Sequence, residues 1–151
     1  MDALNRQILS LLQEDGRMST TDLATRVGLS LSSCHRRVKE LEASGAIEGY
    51  RAIVSPDRLG LTFEAIVFVT MNVTDRPTVA AFEDAVADEP SIVTAQRLFG
   101  EPDYLLRVLA PDLAGYQELY DTRLAALPGV QRLTSTMVMK RIGTEHLVPV
   151  P

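Results

Sequence analysis

The sequence predicts an α+β protein in two parts: a three-helix unit over residues 1–50 and a βαββαβ sheet over residues 61–151, joined by a strand and turn at 51–60. Three observations predict it. Apolar residues recur at helical spacing as far as residue 50, and from residue 61 they alternate one by one. The 151 residues, 46% of them hydrophobic, suit one or two small folded domains and argue against disorder. A short signal also repeats: Pro90-Ser91-Ile92 and Pro128-Gly129-Val130 each lead out of a helix into a strand.

In the first part, Leu4, Ile8, Leu11 and Leu12 fall at i, i+4, i+7 and i+8, the stripe of an amphipathic helix, and Gly16 stops it. Ser19 with Asp22 three residues on resembles a capping box. The hydroxyl bonds an orphan N–H and the acid faces the positive end of the helix dipole. Leu23, Ala24 and Val27 give this second helix its apolar side, and Gly28 breaks it where the turn needs positive φ. Ser30 caps a third helix, in which Cys34, Val38 and Leu41 recur before Gly45. Three short helices with a Gly-containing turn between the second and third describe a helix-turn-helix. Residues 50–60 read as a short strand followed by the turn Ser55-Pro56-Asp57, because Pro56 cannot sit in a central strand.

In the second part, Phe63, Ala65, Val67, Val69, Met71 and Val73 alternate with Glu64, Ile66, Phe68, Thr70 and Asn72, so the first strand is apolar on both faces. A helix follows Pro77, with Val79, Phe82 and Val86 inward, and ends before Pro90. Strands at 92–99 and 104–110 flank the turn Gly100-Glu101-Pro102-Asp103. Asp112 caps a helix carrying Leu113, Tyr116, Tyr120, Leu124 and Leu127, and residues 130–142 form the last strand. Two successive β-α-β halves make a ferredoxin-like sheet with both helices on one face. A strand apolar on both faces is usually buried on both. The far face of the sheet therefore either packs on a second subunit or lies beneath folded edge loops.

Composition limits the function. No apolar run approaches the roughly 18 residues of a membrane-spanning helix, and the start of the chain lacks the basic and apolar blocks of a secretory signal. One cysteine, Cys34, excludes an internal disulfide and suits a reducing, cytoplasmic setting. Two histidines leave little material for a metal site. The formal net charge of −5, averaged over the chain, argues against nucleic acid. DNA, however, meets a patch. From residue 29 to 39 the chain carries Arg36, Arg37 and Lys39 and no acid.

In a helix-turn-helix the third helix enters the major groove with its N-terminal residues at base edges. At about 100° per residue, Cys34, Val38 and Leu41 point inward, and Ser32, Ser33, Arg36, Lys39 and Glu40 point outward, with His35 and Arg37 on the flanks. The fork of Arg36 suits guanine O6 and N7. Ser32 and Ser33 suit bases or phosphates, and Arg37 and Lys39 suit phosphates. His35 donates to a phosphate or packs at the rim. Thr20 and Thr21 offer hydroxyls or backbone N–H groups to the DNA backbone. The competing reading is an ordinary solvated helix. Cys34, on the inward face, reads as a small core hydrophobe rather than a redox sensor.

These residues resemble the Lrp/AsnC family of transcriptional regulators. The resemblance lies in Leu29-Ser30 through Cys34, Arg37-Val38, Leu41-Glu42 and Gly45-Ala46-Ile47, with Ile8-Leu9 and Gly16-Arg17 before them and Gly49-Tyr50-Arg51-Ala52 to Leu59-Gly60 after. It continues through Gly100, Asp103 and Tyr104, Leu127-Pro128-Gly129-Val130 and Lys140, and spans essentially the whole chain. It implies a helix-turn-helix domain joined by a strand linker to a ferredoxin-like domain that binds an effector and oligomerises. It implies no cofactor, an amino acid or related small molecule as effector, pseudo-palindromic double-stranded DNA, and homodimers assembling to an octamer. It places the effector between dimers, at Gly100, Asp103 and Tyr104 with Thr134, Ser135 and Thr136 opposite. Asp103 suits an ammonium and the hydroxyls suit a carboxylate. The alternatives are an Asx turn at Asp103 and plain strand propensity for the hydroxyl residues. Leu31 stands where many relatives have Pro, and Glu101-Pro102 departs from the family turn.

Two rival functions remain at this level. Some siroheme decarboxylases resemble the family in fold, but His35 falls in the reading helix and His146 in the C-terminal tail, so the second part lacks a strand or helix histidine. An architectural protein that compacts DNA without an effector would show little sequence preference and a steep salt dependence.

Overall fold

The computed structural model describes residues 1–142 and 147–151. The chain divides into two compact units: Met1–Ile53 with tail residues 147–151, and Val54–Ile142. The division falls inside the stretch read as a linker.

The first unit holds α1 (Ala3–Glu14), α2 (Thr20–Val27) and α3 (Leu31–Ala43). Each start is capped by a short oxygen acceptor: Asp2 accepts from the Asn5 N–H, Ser19 from Asp22 and Ser30 from Ser33. Asp22 does not close a full capping box, because its carboxylate accepts a hydrogen bond from the Ser19 hydroxyl (2.6 Å) instead of from the Ser19 backbone N–H. Gly28 adopts a φ of +69°, which lets α2 end and the chain turn into α3. Ile8, Leu23, Ala24, Val27, Cys34 and Leu41 form the buried core. In the tail, the Gln13 side-chain amide exchanges two hydrogen bonds with the backbone of Val148, at 3.1 and 2.8 Å.

The strand expected at the start of the linker does not form. Among the described residues no strand pairs with residues 50–54, and Ile53 is 97% exposed. The turn chemistry does hold: Pro56 opens a 3-10 turn over Asp57–Leu59 and Gly60 closes it.

The second unit runs β1 (Phe63–Met71), α4 (Arg76–Ala87), β2 (Ile92–Arg97), β3 (Tyr104–Ala110), α5 (Leu113–Thr122) and β4 (Val130–Met137). The sheet is antiparallel in the order β2-β3-β1-β4, the βαββαβ topology read from the sequence. Alternate residues of β1 (Ala65, Val67, Val69, Met71) are buried beneath the helices with Phe82, Val86, Leu106, Val108 and Leu124. Burying each large side chain contributes about 1.5–3 kcal/mol. The other face carries Ile66 and Phe68, half-buried, with Leu105 across from Phe68.

Three boundaries differ from the sequence reading. β4 stops at Met137 rather than 142: its last ladder pair is Ala65 with Met137, one further bond joins the Val138 N–H to Glu64 O (2.8 Å), and Met139 and Ile142 are over 90% exposed. β2 stops at Arg97. The last helix is shorter, with a separate 3-10 turn at Leu124–Ala126, and Leu113 points to solvent rather than inward.

Candidate functional site

The first candidate surface is the outer side of α3. Ser32, His35, Arg36 and Lys39 are exposed there, and Ser33 and Arg37 are half-buried. Cys34 has no exposed surface, and that burial pushes its thiol pKa up. This is the core role read from its spacing. Thr20 and Thr21 open α2, and the Thr21 carbonyl accepts from Thr25 Oγ1 (3.0 Å).

The three cations of α3 have different surroundings. Arg36 Nη1 donates to Glu40 Oε1 (2.5 Å), one turn on. Lys39 Nζ donates to Glu42 Oε2 (2.8 Å), which holds the ammonium pKa above and the carboxyl pKa below their usual ranges. Arg37 turns inward. Its Nη1 donates to Asp2 Oδ2 (2.6 Å) and Asn5 Oδ1 (2.9 Å), and only 19% of its side chain is exposed. The Asn5 N–H first, and then Arg37, hold the Asp2 carboxyl below its usual range. Arg37 therefore ties α3 to the start of α1 and does not stand in the outward row with Arg36 and Lys39. Helical geometry at about 100° per residue put it on a flank. It could not show that the N-cap of another helix lies opposite.

The second candidate surface belongs to the sheet. Gly100 is exposed in the β2–β3 loop with a φ of +139°. Asp103 is held at three points: its N–H donates to Val69 O (2.9 Å), its carbonyl accepts from Leu98 N (2.7 Å), and its Oδ2 accepts from Met71 N (2.7 Å). The pairing of β1 with β4 shifts register between Thr70 and Met71, and Asp103 supplies the acceptor for the Met71 N–H there. In place of the Asx turn considered for it, the Asp103 carboxylate thus bonds another strand.

The remaining expected residues do not share one surface. Thr134 lies opposite Phe68 and Thr136 opposite Ile66, on the open face. Ser135 lies opposite Val67, on the helix face, and accepts from the Tyr116 hydroxyl (2.6 Å). Tyr104 is also turned to the helices. Its ring sits 4.5 Å from Phe82, and its hydroxyl donates to Glu83 Oε1 (2.8 Å). Burial, reinforced by Glu83, pushes its phenol pKa up to about 12. An alternating strand cannot aim three consecutive hydroxyls at one ligand.

Sequence reading missed two residues here. Glu83 on α4 and Arg97 at the end of β2 lie 3.6 Å apart beside Tyr104, on a groove of about 330 Å³ between α4 and β2. Singly they look like ordinary surface charges, and only the fold brings them together.

Among the described residues, no group of His, Cys, Asp and Glu is arranged to hold a metal ion, and no helix is long and apolar enough to cross a membrane. His146 lies outside the described residues.

A capped helix-turn-helix followed by a ferredoxin-like sheet defines a DNA-binding regulator with a ligand-binding domain. Comparison with known proteins agrees. Residues 1–48 match the winged helix-turn-helix DNA-binding family and residues 64–148 the Lrp/AsnC ligand binding domain. The chain belongs to the Lrp/AsnC family of transcriptional regulators. It is 36% identical over 149 residues to the Bkd operon transcriptional regulator of Pseudomonas aeruginosa, covering 99% of this chain and 97% of that one. It is 36% identical over 142 residues to the leucine-responsive regulatory protein of Escherichia coli K12, covering 94% and 87%. A transcriptional regulator of Neisseria meningitidis, solved with L-Met, superposes with a TM-score of 0.92 at 32% identity, covering 99% and 96%. These relatives are regulators, in keeping with a role that is not enzymatic.

Proposed function

We propose that this regulator reads a pseudo-palindromic operator with the outer face of α3, as a homodimer in the cytoplasm, under the control of an amino acid. The observation that carries the reading is the exposed row Ser32, Arg36 and Lys39 on a capped second helix of a helix-turn-helix pair. Arg36 addresses guanine; Ser32, Ser33, His35, Lys39, Thr20 and Thr21 address bases and phosphates around it. Arg37 supports the surface from behind through Asp2.

The open sheet face supports pairing with a second copy. Ile66, Phe68 and Leu105 form an apolar strip there, flanked by Thr134, Thr136 and the Glu64–Arg107 ion pair. Two reading heads then meet half-sites one helical turn apart or a multiple of it, and dimers assemble further towards an octamer. Binding of L-Met by the Neisseria relative supports an amino-acid effector. In this chain Gly100, Asp103, Thr134 and Thr136 are the contacts proposed for it, with Tyr104 and Ser135 holding the sheet from the helix side. An effector changes operator affinity by preferring one assembly over another.

The test is genome-wide binding-site mapping with purified protein and a panel of amino acids, followed by gel-shift titration of Arg36→Ala on the strongest site. Loss of one bidentate contact predicts roughly a ten- to hundredfold weaker complex, from about 1–3 kcal/mol per contact. Unchanged affinity would remove Arg36 from the interface. A uniform binding profile, insensitive to every amino acid, would favour the architectural alternative.

A further inference from the structure

The reading helix carries its own competitors for DNA. Arg36 is paired with Glu40, both side chains more than half exposed (61% and 55%). Lys39 is paired with Glu42, whose other oxygen accepts from the Tyr50 hydroxyl at 3.4 Å and whose side chain is 30% exposed. Arg37 is taken up by Asp2 and Asn5. Each cation of α3 therefore already faces a carboxylate, and a phosphate must displace one for every cation it draws away.

We propose that Glu40 and Glu42 are specificity-determining residues that suppress binding to arbitrary DNA. The inference rests on the reading that the outer face of α3 meets the groove. A phosphate offers Arg36 one more anionic partner in place of Glu40, and little is gained by the exchange. A guanine edge offers two acceptors in the plane of the guanidinium, whereas Glu40 engages Arg36 through Nη1 alone. At a guanine, Arg36 presents its free Nη2 and Nε to the base while Nη1 keeps Glu40, so the pair survives. At arbitrary DNA the cations are drawn to phosphates instead, and the carboxylates they leave stand unpaired beside the backbone. Specificity arises here by penalising the wrong partner as much as by rewarding the right one.

The test uses the full chain as wild type, Glu40→Gln, Glu42→Gln, the double variant and, as a charge control, Asp121→Asn on exposed α5. Gln keeps the shape of each side chain and an acceptor for Tyr50. Fluorescence anisotropy is followed across a salt series on two duplexes: one of random sequence, and one selected from a random library by the wild-type protein. The double variant is expected to bind the random duplex about tenfold tighter. Its log–log salt slope should steepen by about 1–2, since each cation released to a phosphate contributes about 0.9. Affinity for the selected duplex should change by less than about threefold, and Asp121→Asn should leave both duplexes near wild type. A double variant within twofold of wild type on the random duplex, with an unchanged slope, would overturn the proposal. So would an equal gain from Asp121→Asn, which would make net charge the cause. Equal binding of wild type and Arg36→Ala to the selected duplex would instead refute the groove-facing role of α3 itself.

Discussion

The turn into β4 has no room for a side chain, and this fixes the cost of a single methyl group. Gly129 has a φ of +69°, and a Cβ built there overlaps the Thr78 methyl, lies 2.9 Å from Met71 Cε and 3.4 Å from Val73 O. The end of Met71 can swing away. Thr78, in the first turn of α4, and the Val73 backbone have no such freedom. A left-handed backbone costs a non-glycine residue about 1–2 kcal/mol, and wedging a methyl into packed surroundings adds about 1–3 kcal/mol. Gly129→Ala should therefore destabilise the sheet unit by about 2–5 kcal/mol. Gly60 provides the control: its φ is +77°, but a Cβ there meets nothing within 4 Å. Gly60→Ala should cost the backbone contribution alone, about 1–2 kcal/mol. Urea unfolding of the full chain, followed by tyrosine fluorescence, reads chiefly the sheet unit, because three of the four tyrosines lie there. Equal losses for the two variants would refute the clash. The Asn72 N–H donates to Gly129 O (2.9 Å), next to the Met71 N–H that Asp103 holds. The wedge should thus also blunt any response to an effector bound near the 98–103 loop.

Two further outcomes follow from the same contacts. Arg37→Met keeps the aliphatic stem but drops the bonds to Asp2 and Asn5, so hydrogen exchange at the first turns of α1 should quicken several-fold while the salt slope of DNA binding stays put; a slope reduced by about one with unchanged exchange would make Arg37 a phosphate contact after all. Tyr104→Phe bears on alkaline stability. A phenol whose folded pKa is about 12, above its ordinary value of 10.0, stabilises the fold fully below pH 10 and loses that contribution as pH rises through 12. Between those limits the wild type should lose stability that Tyr104→Phe does not, in unfolding measured at stepped pH; parallel losses would show that Tyr104 is not held protonated by the fold.

Much of the architecture was legible because it rests on local chemistry. Ser19, Ser30 and Asp112 each accept the bond expected of an N-cap, and period-two alternation divided β1 into the two faces that the sheet displays. What failed depended on partners far along the chain. The linker strand and the end of β4 depended on pairing with residues far along the chain, which does not form among the described residues, and β-propensity alone cannot report that. The candidate site divides the same way. Arg36 and Lys39 face outward as helical geometry requires. Arg37 lies only one residue from Arg36, yet Asp2, 35 positions away, decides its role. Tyr104 and Ser135 were grouped with the effector contacts by family resemblance, while strand alternation sends both to the helix face. Glu83 and Arg97 carried no signal until α4 and β2 were laid side by side.

The sealed position of Cys34 gives the first unit its own clock. It is the chain's single cysteine, it has no exposed surface, and burial disfavours its thiolate. A thiol reagent can reach it only when the three helices part, so the labelling rate times the opening of the reading head and is blind to events in the sheet. Any DNA that clamps α3 against its neighbours must slow that rate. A solution of the unmodified protein thus reports on its reading head without an added dye or tryptophan.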